Sequence, residues 1–265
     1  MCGDIDGAEA FRAMHRQGAP LLLPNAWDHA SAAALAGAGF AVIGTTSLGV
    51  AAAAGLPDGA GVARAETVAL AARLVPLPCL VTVDVEAGFS ADPAEVAGLA
   101  AELAGLGAVG INLEDGRPHA TLADPDRQSE LIAAVRAGAP GLFVNARIDT
   151  HWLKVDDDPP LAATLARAER YLAAGADGIF VPGLAEDAHI RELVNAVPAP
   201  VNVLFLPHRH TLGRLTELGV HRVSTGSLLF RAALRTAVDT AVAIRSGREV
   251  AADLPSYAQI QQLSE

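Results

Sequence analysis

Apolar runs of strand length recur along the chain: LLLPN from Leu21, AVIGT from Ala41, LVTVD from Leu80, VGINL from Val109, LFVNA from Leu142, GIFVP from Gly178, VNVLF from Val201 and HRVST from His221. Between them, apolar residues fall three and four apart, as in PAEVAGLAAELAGLG (93–107) and AATLARAERYLAAG (162–175), which predicts amphipathic helices. Gly107, Gly138, Gly175 and Gly219 follow such stretches as C-terminal stops. A leading helix is predicted at about 6–17, a long last one at 227–246, and a polar tail after it. Eight strands, each followed by a helix, predict an α/β fold, a single-domain (β/α)8 barrel over 1–265. A doubly wound open sheet competes, but no GxGxxG follows the first strand.

Side chains alternate along a strand. Val81, Val83 and Val85 are therefore expected to face the helices, and Thr82, Asp84 and Glu86 the barrel axis. The next run sends Val109, Ile111 and Leu113 outward and Gly110, Asn112 and Glu114 inward. In the fifth, Phe143, Asn145 and Arg147 point inward; in the seventh, Asn202 does. Ionisable residues thus collect at the C-terminal ends of three consecutive strands, the rim that carries active sites in this fold.

Composition narrows the choice. Half of the residues are apolar, enough for a sizeable core, and the net charge of −11 with no dense Lys/Arg tract argues against nucleic-acid and membrane surfaces. Lys154, the sole lysine, sits beside the acidic run Asp156–Asp158. A Schiff-base enzyme needs a desolvated lysine instead. Cys2 and Cys79 form no disulfide framework or zinc spacing. The acidic N-terminus lacks an apolar signal core, so a cytoplasmic protein is expected.

Asp84, Glu86 and Glu114, with Asp58 as a further member, outnumber the one inward arginine, Arg147. Crowded carboxylates must hold protons or a cation. All-oxygen ligands with room for waters suit Mg²⁺, with Mn²⁺ as an alternative. Arg147 would then grip a carboxylate or phosphate bidentately. Metal and arginine across a small cavity suit a short anionic 2-oxo acid, from which the metal would stabilise an enolate. Two rivals are a glycosidase, disfavoured by an aromatic content of 4%, and a protein that binds metal and oxo acid without turnover.

The ordered set PNAWD (24–28), GTTSLG (44–49), GLPDG (55–59), DVEAGF (84–89), NLEDG (112–116) and NARIDT (145–150) resembles the isocitrate lyase/phosphoenolpyruvate mutase superfamily over about residues 20–230. The resemblance implies a (β/α)8 barrel whose last helix, here 227–246, is exchanged between subunits of a tetramer or dimer. It implies Asp84 as direct Mg²⁺ ligand, with Glu86, Glu114 and Asp58 holding the ion through water. Glu86 stands where Asp is commoner. Thr46, Ser47 and Leu48 match the loop that contacts the substrate carboxylate, Arg147 matches the substrate arginine, and Asn112 and Asn202 are expected near the substrate.

Departures from that pattern bear on the reaction. Lyase members carry a loop of the type KKCGH or KRCGH, whose cysteine is the acid/base; GRPHATLADPDR (116–127) has none. The lyase glutamate after the sixth strand's proline is replaced by Gly183, and the histidine of the mutases near there is missing. What remains is a Mg²⁺-dependent carbon–carbon lyase or oxaloacetate-type decarboxylase acting on a 2-oxo or 2-hydroxy acid, with phosphonopyruvate-type P–C chemistry and a non-catalytic binder as alternatives. His119 lies at the lost cysteine's position and is the candidate general acid, against a solvated loop histidine. His208 and His210 follow the seventh strand, a spacing that either binds metal or is solvent-exposed. His151 lies near the rim. Asn25 and Asp28 form a rim polar pair, Asp28 also being a candidate helix cap.

Overall fold

A computed structural model describes residues 7–16, 18–153, 161–250 and 253–264. The expectations for Cys2, Lys154 and Asp156–Asp158 fall outside these residues. In chain order the strands are β1 (Leu21–Leu23), β2 (Asn25–Ala26), β3 (Val42–Thr45), β4 (Leu80–Asp84), β5 (Gly110–Glu114), β6 (Gly116–Arg117), β7 (Thr121–Leu122), β8 (Phe143–Arg147), β9 (Gly178–Val181), β10 (Val201–Leu204) and β11 (Arg222–Ser224). The α-helices are α1 (Gly7–Met14), α2 (His29–Gly37), α3 (Ser47–Ala53), α4 (Arg64–Leu74), α5 (Pro93–Leu106), α6 (Pro125–Gly138), α7 (Leu161–Ala173), α8 (Asp187–Ala196), α9 (Leu212–Glu217), α10 (Leu228–Arg245) and α11 (Tyr257–Gln262).

Every pairing in the main sheet is parallel, in the order β1-β11-β10-β9-β8-β5-β4-β3-β2. Its two ends are two halves of one stave. Leu21–Leu23 pairs with β11, and after Pro24 the same stretch pairs with β3. Proline offers no N–H to continue a ladder, so the first stave changes neighbour there. Asn25 stitches the seam: its Oδ1 accepts from the Thr225 and Gly226 amides, and its Nδ2 donates to the Thr45 carbonyl at 2.8 Å. The expected (β/α)8 barrel is thereby formed from all eight anticipated staves.

Local chemistry sets the helix ends. Asp92 and Asp124 each precede a proline at the first helical turn and accept from backbone amides of that turn. Asp28 caps α2 in a capping box with Ser31, its cap role confirmed; being exposed, it does not pair with Asn25. Gly107 ends α5 in the left-handed conformation, which glycine adopts without steric cost. The tail past α10, expected to be merely polar, contains α11.

Val81, Val83, Val85, Ile111, Leu113, Val144 and Ala146 lie in the large core between sheet and helices. Val109 departs from the expected outward set. It precedes β5 and joins Phe11, Leu23, Val42 and Phe143 in a second cluster that floors the barrel. Helix α1 supplies that plug, with Phe11 edge-on to Phe143 at 5.2 Å. Gly110 makes room for it, since a Cβ there would sit 3.1 Å from the Phe11 ring.

Candidate functional site

A cavity of about 80 Å³ lies at the C-terminal ends of the staves. That is well below the roughly 300–1,000 Å³ of pockets for drug-sized ligands, and suits a molecule of a few heavy atoms. A larger open hollow of about 630 Å³ at the opposite end is lined by Val, Pro and Ala with His15, Arg16 and His221, far from the carboxylates.

Of the residues expected at the site, Thr46, Ser47, Leu48, Asp58, Asp84, Asn112 and Arg147 line the small cavity, as does Asn25. Period-two alternation delivers Asp84, Asn112 and Arg147 from neighbouring staves β4, β5 and β8. Asp84 is fixed by its backbone: its amide donates to Thr45 Oγ1 at 2.9 Å, and its Oδ1 accepts from the Glu86 amide at 3.2 Å. Burial pushes its carboxyl up to about 6; Arg147 opposes the shift, and the field of Asp58 adds to it. The amides of Ser47 and Leu48 open α3, where a helix has no acceptors of its own for its first N–H groups.

Arg147 is the sole cation among the described lining residues. Nη1 meets Glu114 Oε2 and Nε meets Asp149 Oδ1, each at 2.6 Å. Phe180 lies under the guanidinium, 6.0 Å from carbon to ring centroid. Nη2 keeps no acceptor among the described residues, so it is the edge available to an anion. The acids around it hold Arg147 well above the ordinary arginine range, against the effect of burial. Burial in turn pushes Glu114 up to about 8, with Arg147 opposing. Asp149 is raised as well, burial again outweighing Arg147.

The expectation that four carboxylates converge on one point is corrected. Among the described residues no group of three or more His, Cys, Asp or Glu side chains is arranged to hold a metal. Glu114 is turned to Arg147. Glu86, in left-handed backbone at φ 49°, accepts from the Gly61 amide at 3.0 Å and so ties down the loop that carries Asp58. Only Asp84 and Asp58 reach the cavity. A divalent ion still fits the chemistry. Burial, with neighbouring acids adding to it, raises Asp84 and Glu86, so a bound cation would favour their ionised forms, and Glu86 Oε1 is buried with no partner among the described residues. Carboxylate oxygens with space for water are the donors a hard ion takes.

Asn202 does not line the cavity; it lies against Ser224, which does, its Nδ2 donating to Ser224 Oγ at 3.0 Å. His119 is exposed, at φ 63° in the turn between β6 and β7, and does not line the cavity. The loop around it is an antiparallel hairpin. His208 is exposed, whereas His210 is buried with Nε2 3.4 Å from the Ala185 carbonyl oxygen; among the described residues neither belongs to a group of three or more side chains placed to hold a metal. His151 does not line the cavity either.

Sequence reasoning missed the apolar wall of Trp152, Phe180, Pro182 and Leu204 and the polar Ser224 and Ser227. Phe180 was within reach, since it alternates with the outward Ile179 and Val181. Asp115, beside Glu114 but facing the helices, was also missed. It accepts from the Asp149 amide, Arg167 and Tyr171 at 2.8, 2.9 and 2.8 Å, and so anchors the segment that braces Arg147. The missing glutamate after Pro182 has a backbone cause. Gly183 has φ 82°, and a Cβ there would lie 2.7 Å from the His151 carbonyl oxygen.

The chain is similar to several known proteins. A Mycobacterium tuberculosis protein of uncharacterised function is 44% identical over 252 residues, 95% of each chain. A solved Burkholderia cenocepacia structure, provisionally described as a phosphonomutase, is 42% identical with a TM-score of 0.83, covering 89% of this chain and 98% of that one. The 2-methylisocitrate lyase of Salmonella typhimurium is 30% identical over 226 residues, 80% of this chain and 70% of that protein. A model described as phosphoenolpyruvate phosphomutase matches residues 11–245. With a parallel barrel and with Asp84 and Arg147 on the C-terminal rim, this chain belongs to the phosphoenolpyruvate phosphomutase family.

Proposed function

We propose that this chain is a Mg²⁺-dependent enzyme acting on a small 2-oxo or 2-hydroxy carboxylic acid, as a carbon–carbon lyase or an oxaloacetate-type decarboxylase. The observation that carries this reading is the placement of Asp84 and Arg147 on one small, half-apolar cavity. Asp84 would hold the ion directly, with Asp58 and Glu86 acting through water; Glu114 is occupied with Arg147. Bound there, Mg²⁺ or Mn²⁺ would supply Lewis-acid stabilisation of the negative charge that develops on the substrate.

The chain's own residues do the rest. Arg147 presents Nη2 to the substrate carboxylate, held in aim by Glu114 and Asp149. Thr46, Ser47 and Leu48 receive the other end of the anion. Leu48, Phe180, Pro182, Leu204 and Trp152 exclude water from the reacting carbons, which strengthens each charge interaction inside. No cysteine or histidine lines the cavity among the described residues. Decarboxylation suits such a site, because CO₂ departs as a neutral molecule and needs no protein acid at the leaving group. The likeness to a phosphonomutase favours a second reading, cleavage or rearrangement at a P–C bond. Besides the ion, a single lining arginine opposite the multiple charge of a phosphonate makes it the lesser one.

A panel of oxaloacetate, 2-methylisocitrate and phosphonopyruvate, each with Mg²⁺ and product detection, tests the proposal. Turnover of a 2-oxo acid is expected, lost in chelator and in Asp84→Ala while the thermal midpoint holds. Full activity of Asp84→Ala in chelator would refute the metal assignment, and binding without turnover across the panel would make the protein a sensor. Arg147→Ala is expected to weaken substrate binding by about 2–5 kcal/mol, as for truncating one partner of a buried charge contact.

A further inference from the structure

Beneath the cavity lies a cation that the functional reading does not use. Arg222 of β11 is 1% exposed and points into the barrel, with its guanidinium carbon 5.9 Å from the Phe11 ring centroid. Its Nε donates to Ser224 Oγ and its Nη2 to Asn112 Oδ1, each at 3.3 Å, while Nη1 has no partner among the described residues. No carboxylate pairs with it there; the field of Asp84 is the one acidic influence that reaches it, and burial lowers it to about 9. A buried guanidinium without a counter-ion is costly, and a barrel floor made of phenylalanines could be filled by an apolar side chain instead.

The two acceptors of Arg222 are both cavity residues. Asn112 Oδ1 receives two donors, Arg222 Nη2 from below and Asn145 Nδ2 at 2.8 Å from the side. With its oxygen held on the barrel side, the amide must turn Nδ2 elsewhere, and Nδ2 has no acceptor among the described residues. We propose that Arg222 is a positioning residue for the anion site: it locks the Asn112 amide with Nδ2 facing the ligand and sets an unneutralised positive charge under the cavity floor. The inference rests on the proposed function, since it takes the ligand to be a small carboxylate bound with a divalent ion. Arg222 touches neither, and acts through Asn112, Ser224 and its field.

The test is calorimetry on the full chain with Mg²⁺ alone and with oxalate plus Mg²⁺. In Arg222→Met, oxalate affinity is expected to fall about tenfold or more, the effect of one lost 1.4 kcal/mol interaction, while Mg²⁺ alone binds at least as tightly because a repelling charge is gone. Opposite signs for the two ligands separate positioning from a loosened fold, which would weaken both. Arg222→Lys should recover part of the oxalate affinity. Asn112→Asp should keep its thermal midpoint, by giving Arg222 a carboxylate, yet lose oxalate, because an oxygen now faces the anion. Wild-type oxalate affinity in Arg222→Met overturns the proposal, as does undiminished oxalate binding by Asn112→Asp if Arg222→Met fails to fold. Failure of the wild-type chain to bind oxalate with Mg²⁺ overturns the functional reading itself, and the role of Arg222 with it.

Discussion

Around Arg147, charge competes with burial. Glu114 and Asp149 together outweigh the desolvation of its guanidinium, and the side chain is left rigid with one nitrogen to spare. The geometry gives His119 no such assignment: it is exposed and lies away from the cavity. His119→Ala should therefore leave both the rate and its pH profile unchanged; a lost limb near neutral pH would bring the histidine back into the site. Alternation along the strands made Asp84, Asn112 and Arg147 legible, because a side chain's face follows from its parity alone. The partners of Glu86 and Glu114 were not legible, since parity gives a direction and not a partner: one turned to the Gly61 amide, the other to a guanidinium.

Two elements support the site from outside. Asp115 faces α7, where Arg167 and Tyr171, one helical turn apart, meet it. Asp115→Asn leaves a partly buried arginine without its fully buried acid, and should cost about 3 kcal/mol in chemical denaturation; a loss within error would show that Arg167 finds other acceptors. At the floor, His15 of the turn after α1 donates Nδ1–H to the Phe11 carbonyl at 2.8 Å and stacks on Phe143. Burial, then the positive charge of Arg222, lowers it to about 3. The unfolded chain takes this proton near pH 6.5 and the folded one only near 3. Stability is thus intact above 6.5 and falls as pH drops, by about 1.4 kcal/mol per unit from this group. Urea melts of His15→Phe against wild type at pH 7, 6 and 5 should show a shallower acid loss in the variant, and parallel curves would contradict it. Each stave was readable from its apolar run and the helices between staves from their spacing, but α11 and the floor were not. Whether Val109 belongs to the helix-facing core or to the plug depends on where α1 docks, which no local pattern records.

At the scale of the molecule, no helix among the described residues is long and apolar enough to cross a membrane. Helix α10 runs 18 residues with Phe230 as its buried residue, while Leu234, Val238 and Ile244 are 52%, 59% and 66% exposed. We propose that a second copy of this chain covers that face, by exchange of α10. Light scattering should find an assembly larger than one chain, and Leu234→Asp with Val238→Asp should reduce it to monomer; a monomeric wild type would end the idea. Pro24 carries a further consequence, for biogenesis. Because the first stave hands over from one neighbour to the other at that residue, its leading half finds its hydrogen-bonding mate only in β11, some 200 positions later. On the ribosome Leu21–Leu23 must wait, with an open edge, until nearly the whole polypeptide has emerged. The ring therefore closes late and all at once, and a truncated product lacking β11 would expose just the sort of apolar border that invites aggregation.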